Sequence, residues 1–109
     1  MTLTTSLPTR VRPVLAALQQ TLAERLGQAP RLILFGSYAR GQATPWSDVD
    51  VCAVLPRWDA DTLEAALDVA WEVGFEHGLI ISLIPMTEDE WETAWLPLAQ
   101  TLRREGIVL

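Results

Sequence analysis

Apolar side chains recur at helical spacing near the start of the chain. Successive steps of four, three, four and four residues align one apolar stripe, formed by Val11, Leu15, Leu18, Leu22 and Leu26. This stripe predicts a helix over residues 9–26, with Thr9 as its N-cap and Gly27 as its stop signal. Pro13 fits within the first turns because the earliest N–H groups of a helix have no helical partner.

Three short apolar runs have the length of buried strands, and they predict strands over 31–36, 48–55 and 79–84. Pro85 follows the third run and suits a strand end. The eleven residues between the first two strands are fewer than a parallel crossover needs, whereas the longer connection to the third allows a parallel pair. The sequence therefore predicts an α+β fold, with a mixed sheet of three or slightly more strands covered by helices.

A second amphipathic helix is predicted over residues 60–77. Its apolar stripe consists of Leu63, Leu67, Ala70 and Gly74. Another face carries five acids, namely Asp61, Glu64, Asp68, Glu72 and Glu76. Such a stripe is most simply a solvated face, and docking of a basic partner is the alternative.

Capping signals predict two more helices near the end of the chain. Thr87 and Glu90 have the spacing of a capping box, which starts a helix over 88–96. Pro97 then begins a helix over 97–105, which stops near Gly106. Three of the five tryptophans would mark a protein interface if they are exposed: Trp46 in the Gly36–Asp50 segment, and Trp91 and Trp95, which lie one helical turn apart.

Composition sets the class of protein. With 109 residues, 1–109 is expected to form a single domain, and any partner module comes from another polypeptide. The net charge of −6 and the absence of lysine argue against a long nucleic acid as substrate. No run of eighteen apolar residues and no leader pattern is present, so a cytoplasmic protein without membrane contact is expected. Cys52, the one cysteine, lies in an apolar run and is expected to be buried.

The segment from Gly36 to Asp50 combines the groups needed to bind a nucleotide. Gly36 permits a sharp turn, and the N–H groups after it form, with the Ser37 hydroxyl, a nest for phosphate. Asp48 and Asp50 are two residues apart, so both side chains leave the same face of a strand and can hold Mg²⁺. Arg40 supplies a positive charge suited to a triphosphate.

Rival motifs are excluded by missing residues. Gly36 and Gly41 have P-loop spacing, but Gln42 stands where that motif needs lysine. An EF-hand needs a loop glycine and a closing glutamate, and neither follows Asp50. His77, the one histidine, ends a helix and is assigned no role beyond capping. Zinc sites and Cys/His nucleophile pairs are set aside for lack of ligands.

These residues resemble the DNA polymerase beta-type nucleotidyltransferase superfamily, and within it the minimal nucleotidyltransferases. The resemblance rests on Gly36-Ser37, ten residues, then Asp48-Val49-Asp50, and on the intervening Tyr38-Ala39-Arg40-Gly41 and Ser47. It implies a polymerase beta-like fold and transfer of a nucleoside monophosphate, from ATP or another nucleoside triphosphate, to a hydroxyl. Gly36, Ser37 and Arg40 would hold the phosphates, and Asp48 and Asp50 would be the catalytic Mg²⁺ ligands.

The resemblance also implies a partner. Relatives of this size often act as the antitoxin of a pair with a small helical HEPN protein encoded nearby, and some attach AMP to it. A protein acceptor is therefore expected, and a homo-oligomer is compatible with the sequence. An aminoglycoside-type transferase is a further alternative, although such enzymes generally need an extra domain or a dimer to build the acceptor site.

One departure from the family pattern concerns the third strand. Active members usually carry a third carboxylate there, and Ser82 occupies the expected position. A serine is a poor Mg²⁺ ligand and cannot act as a base at neutral pH. Three alternatives stay open: activity is weak or lost and the chain is a binding module, Glu76 supplies the missing acid, or a partner does.

Overall fold

A computed structural model of the chain describes residues 7, 9–93 and 96–109. The elements follow in the order α1 (Arg12–Leu26), β1 (Arg31–Phe35), β2 (Val49–Leu55), α2 (Ala60–His77), β3 (Ile81–Thr87), α3 (Glu88–Glu92), α4 (Pro97–Glu105) and β4 (Ile107–Val108). No helix among these is long and apolar enough to cross a membrane.

The strands form one mixed sheet in the order β3-β2-β1-β4, which confirms the predicted fold class. β1 pairs antiparallel with β2 and with β4, and β2 pairs parallel with β3. The α2 helix makes the crossover between the parallel strands, as the long connection predicts. The fourth strand has only two residues and was not predicted, because a pattern of period two cannot be recognised over so short a segment.

The two faces of the sheet are covered unequally. On one face α1 and α2 pack over alternate strand residues such as Leu32, Leu34, Val49 and Val51. On the other face α4 covers a smaller cluster that includes Ile33, Cys52 and Leu102. Cys52 is fully buried, as predicted. The candidate carboxylates belong to the second face, at an end of β2 beyond this smaller cluster.

The first helix begins later than predicted. Val11 is its N-cap and Gly27, in the left-handed conformation, ends it as expected. Thr9 lies in the turn before the helix and is not the N-cap. The physical reason is Pro13, which has no N–H to donate to the Thr9 carbonyl, so the first helical bond is Leu15 N–H to Val11 O, at 2.9 Å.

The third strand also differs from the prediction. It runs from Ile81 to Thr87, and Pro85 lies inside it rather than after its end. This is tolerated because β3 is an edge strand, where a missing N–H need not interrupt a ladder on both sides. Residues 79 and 80 precede the strand, although Ile80 O still accepts the Val49 N–H at 2.8 Å.

Smaller differences concern the element ends. Gly36 lies outside β1 because its φ of 76° breaks the extended geometry, and Asp48 directly precedes β2. The capping box of Thr87 and Glu90 starts α3, which ends at Glu92 rather than at residue 96. Residues 94 and 95, and with them Trp95, fall outside the described residues. The predicted bounds 60–77 and 97–105 agree with α2 and α4.

The buried face of α2 was predicted in part wrongly. Ala70 and Gly74 are buried, but Leu67 is 45% exposed. The residues that face the core are Ala66, Val69, Ala70, Val73 and Gly74. The helix is apolar around most of its circumference, so its periodicity did not distinguish the core face from its neighbour.

Gly74 provides a test of how closely α2 approaches the sheet. A Cβ atom there would lie 2.5 Å from the Leu79 carbonyl oxygen. We expect Gly74→Ala to lower the free energy of unfolding by about 1 kcal/mol or more, because overpacking outweighs the better helix propensity of alanine. Urea denaturation measures this, with Asp68→Ala on the exposed side of the same helix as control. A stabilised Gly74→Ala variant would contradict the close contact.

Candidate functional site

Two carboxylates leave the sheet on the same side. Along β2, Val49 and Val51 point into the core beneath α1 and α2, so Asp50 points to the opposite face with Cys52. Asp48 lies two residues before Asp50 and shares its side. Asp50 is half-buried and Asp48 is exposed at the start of the strand. The structure therefore brings together the two acids that the sequence singles out.

The backbone of Gly36 lies against the Asp50 carboxylate. The antiparallel register pairs Phe35, the last residue of β1, with Asp50. Gly36 follows with φ of 76°, and a Cβ atom on it would lie 2.2 Å from Asp50 Oδ2. The Asp50 carboxylate therefore occupies the space that a side chain at Gly36 would fill, which places the backbone of the turn directly against the acid.

The turn after Gly36 presents N–H groups at its start. Its internal bonds run from Arg40 N–H to Gly36 O, at 3.1 Å, and from Gln42 N–H to Ser37 O, at 2.9 Å. Tyr38 is 4% exposed and anchors the turn in the core under α1 and α2. The N–H groups of residues 37–39 precede the first of these bonds, so they remain available to phosphate oxygens, next to the Ser37 hydroxyl.

Arg40 is held in place by two side chains. Its Nη1 donates to Glu105 Oε1 at 3.1 Å, and its Nε donates to Gln42 Oε1 at 3.2 Å. Neither contact uses the Nη2 donors, so the guanidinium can bind a phosphate while it keeps both partners. Its charge also acts on Asp50, whose pKa it lowers. Glu105, at the end of α4, was not predicted to belong to this neighbourhood.

The net effect of the surroundings is to raise the Asp50 pKa. Burial is the largest cause, the nearby charge of Asp48 adds to it, and Arg40 opposes both. A divalent cation between the two acids would relieve this repulsion, and carboxylate oxygens are the ligands that Mg²⁺ prefers. The residues present therefore fit a divalent cation. In the described part of the chain no third Asp, Glu, His or Cys completes a cluster, so Glu76 is not placed as a third ligand.

Ser82 lies beside Asp50, at the position where the family resemblance leads us to expect a third acid. The parallel register pairs Ser82 of β3 directly with Asp50 of β2, and paired residues of adjacent strands share a face. Phe35, Asp50 and Ser82 thus form one row across three strands. The third position of this row carries a hydroxyl group in place of a carboxylate.

Arg10 is a residue of this neighbourhood that the sequence did not reveal. It lines a cavity of about 410 Å³ with Trp46, Ser47, Asp48 and Ile80. Arg10 lies in the turn before α1, far from the motif along the chain, and no local pattern marks it. A larger cavity of about 650 Å³ lies against Arg31, Leu55 and Trp91 at the other end of the strands, away from both acids.

The loop before Asp48 is held by its own hydrogen bonds. Thr44 N–H donates to Ser47 Oγ at 2.8 Å, and Ser47 N–H donates to Thr44 O at 3.0 Å. Ser47 therefore shapes the loop that delivers Asp48. Trp46, at the tip of this loop, is 90% exposed.

The mixed sheet, the glycine turn after β1 and the paired acids of β2 define an α+β protein with a polymerase beta-like nucleotidyltransferase fold. Residues 16–107 match the nucleotidyltransferase domain family. Since the match covers most of the chain, this protein belongs to that family.

Individual relatives point to two kinds of transferase. Two proteins of Methanocaldococcus jannaschii, named provisionally as protein adenylyltransferases, are 41% identical over 56 residues and 35% identical over 63 residues. These matches cover 49% and 58% of this chain, and 38% and 59% of the two relatives. A bifunctional uridylyltransferase/uridylyl-removing enzyme of Thiobacillus denitrificans is 40% identical over 68 residues, which cover 57% of this chain and 8% of that enzyme. The chain thus matches less than two thirds of each.

The contact between Gly36 and Asp50 predicts a difference between two glycines. Gly36 and Gly41 both have positive φ, but a Cβ on Gly41 would meet nothing within 4 Å. We expect Gly41→Ala to cost about 1–2 kcal/mol of unfolding free energy for its conformation alone. Gly36→Ala should cost about 1–3 kcal/mol more, because it also displaces Asp50. Urea denaturation compares the two variants, and equal losses would contradict the contact.

The raised pKa of Asp50 predicts that replacing its carboxylate by a neutral amide stabilises the fold, to an extent that depends on pH. The folded state disfavours the charged carboxylate, so the wild-type chain loses stability as pH rises through the folded pKa of Asp50. In metal-free buffer, Asp50→Asn should therefore have a higher Tm at neutral pH. The two proteins should converge below the ordinary Asp pKa of about 3.9.

Asp59 provides the matched control for this experiment. Its carboxylate caps α2 by accepting the Thr62 N–H at 2.7 Å, which lowers its pKa. Asp59→Asn should therefore leave the Tm at neutral pH unchanged or lower it. A lower Tm for Asp50→Asn at neutral pH would show that the fold does not disfavour the charged form of Asp50.

Proposed function

We propose that this chain transfers AMP from ATP to a hydroxyl group of a partner protein, as the antitoxin half of a pair with a small helical HEPN-type protein. The observation that carries the proposal is the close placement of Asp50 against the Gly36 turn, with Asp48 on the same side. This arrangement joins a cation site to a phosphate nest. The names of the two archaeal relatives favour adenylyl transfer to a protein.

Each site residue has a distinct part in this proposal. The N–H groups after Gly36 and the Ser37 hydroxyl bind phosphate oxygens, and Arg40 neutralises the triphosphate through its remaining donors. Asp48 and Asp50 hold Mg²⁺, which when bound supplies positive charge to the phosphates and to the leaving pyrophosphate. Because Glu105 and Gln42 already orient Arg40, little side-chain entropy is lost when the nucleotide binds.

The proposed reaction is a single displacement at the α-phosphorus of ATP. The acceptor oxygen forms a bond to the α-phosphorus of ATP, the bond from that phosphorus to the bridging oxygen breaks, and pyrophosphate leaves with the electron pair. The hydroxyl proton needs a base. Ser82 cannot accept it at neutral pH, so the proposal assigns the proton to water or to a group of the acceptor protein.

A second candidate function is supported by the same row of residues. Ser82 stands directly beside Asp50 where a third carboxylate would stand, and Glu76 does not join the two acids. A site with two acids can bind a nucleotide and its cation without turning it over. In this alternative the chain is a binding module that recognises its partner and performs no transfer.

Transfer of label distinguishes the two functions. The chain is incubated with Mg²⁺, ATP labelled in its α-phosphate and the purified product of the adjacent gene. Wild type should label that protein, and Asp48→Ala and Asp50→Ala should reduce the label to background, because each removes one of the two proposed cation ligands. Asp89→Ala, which removes an exposed acid of α3, is the matched control and should keep the label.

The two candidate functions predict different results in this experiment. Background label for wild type and both variants, with binding of the partner retained, would overturn the transferase proposal in favour of the binding module. A Ser82→Asp variant that gains activity over wild type would locate the weakness at the third position of the row.

A further inference from the structure

The outer side of α2 exposes large apolar side chains. Leu67, Trp71 and Phe75 follow at steps of four residues, so they lie along one side of the helix. Trp71 is 70% exposed and Phe75 is 76% exposed, and their rings stack with centroids 6.4 Å apart. Ile80, just after the helix, is 63% exposed. We call these four residues the aromatic face.

The aromatic face runs into the candidate site. Trp71, Phe75 and Ile80 line one cavity, of about 270 Å³. Ile80 also lines the neighbouring cavity with Trp46 and Asp48. A binding partner that covered the aromatic face would therefore contact the loop of Trp46 and lie beside Asp48.

The exposed area is large for so small a protein. Aromatic rings typically bury about 150–250 Å² each in a protein interior, so Trp71 and Phe75 of the aromatic face, together with Trp46 of the neighbouring loop, leave on the order of 400 Å² of aromatic surface exposed. Contiguous patches of this size on single proteins often mark interaction sites. It is roughly half of what one partner contributes to a standard interface, which is enough for an apolar centre with a polar rim.

Charge decides which kind of partner fits. Acidic residues line the side of α2 next to the aromatic face, and Glu64, Asp68 and Glu76 among them are exposed. Glu72 is exposed as well, but its charge is paired with that of Arg25 of α1, at 3.1 Å. A second copy of the chain, with net charge −6, would bring like charges together across such an interface. The complementary surface is apolar with an arginine or lysine rim.

We propose that the aromatic face is the docking surface for the acceptor protein, which contacts it through an apolar patch rimmed by basic residues and so presents its hydroxyl near Asp48. This inference rests on the proposed function for the identity of the occupant. It gives the nucleotidyltransferase domain a surface with which to recognise a protein acceptor. Trp71 and Phe75 act as positioning residues, since neither belongs to the phosphate nest or to the cation site.

Binding and transfer are measured separately to test the surface. Titration calorimetry gives the Kd for the purified product of the adjacent gene, with wild type, Trp71→Ser and Phe75→Ser. Each substitution should raise the Kd by at least about 10-fold, as expected for central aromatic anchors. Val108→Ser, which removes an exposed apolar side chain from β4, is the matched control and should leave the Kd unchanged.

The acidic residues next to the aromatic face, such as Asp68, are tested by the rate of association and its salt dependence. Asp68→Arg should slow association and weaken the dependence of the Kd on salt, because rim charges steer encounter. Glu88→Arg, on α3, makes the same charge change away from the aromatic face and should alter neither quantity. Binding of Mg·ATP should be unchanged in Trp71→Ser and Phe75→Ser, which separates loss of docking from loss of the fold or the nucleotide site.

Failure of this inference differs from failure of the proposed function. If wild type fails to transfer label but Trp71→Ser still abolishes binding of the acceptor, the surface stands and the transferase proposal falls. If Trp71→Ser and Phe75→Ser bind and label the acceptor as wild type does, or if the acceptor does not bind at all, the docking surface is overturned. It is also overturned if these substitutions dissociate a homodimer in sedimentation, because the face would then be covered by a second copy of the chain.

Discussion

The close approach of Asp50 to Gly36 is the constraint on which the site depends. It requires β1 and β2 to pair antiparallel in one register, so that the end of β1 lies beside the second acid of β2. It also requires a residue without a side chain at the turn, because a Cβ atom would lie 2.2 Å from the Asp50 carboxylate. One residue of register shift would send both acids into the core beneath α1 and α2.

The unequal covering of the sheet gives the site its openness. Helices α1 and α2 bury one face, whereas α4 covers only part of the other and leaves the row of Phe35, Asp50 and Ser82 at its margin. Partial burial there raises the Asp50 pKa, and the charges of Asp48 and Arg40 adjust it in opposite directions. The same placement of α2 that buries the first face turns its aromatic side chains outward.

The site lacks a third acid, and the exposed aromatic face lies next to it. Ser82 is a poor Mg²⁺ ligand and cannot act as a base at neutral pH, and the described residues offer no other acid beside Asp48 and Asp50. A protein seated on α2 and on the loop of Trp46 would lie next to Asp48 and would exclude water there. This is the basis for the proposal that a partner protein completes the site.

The sequence by itself determined the parts that depend on neighbouring residues: the fold class, the mixed sheet, the capping box, the turn at Gly36 and the shared side of Asp48 and Asp50. Tertiary structure decided what depends on distant residues. Pro85 enters β3 because that strand lies at the edge of the sheet, and Glu105 reaches Arg40 only through the folded α4. Periodicity could not choose the buried side of α2, since its apolar residues extend around most of the helix and packing against the sheet made the choice.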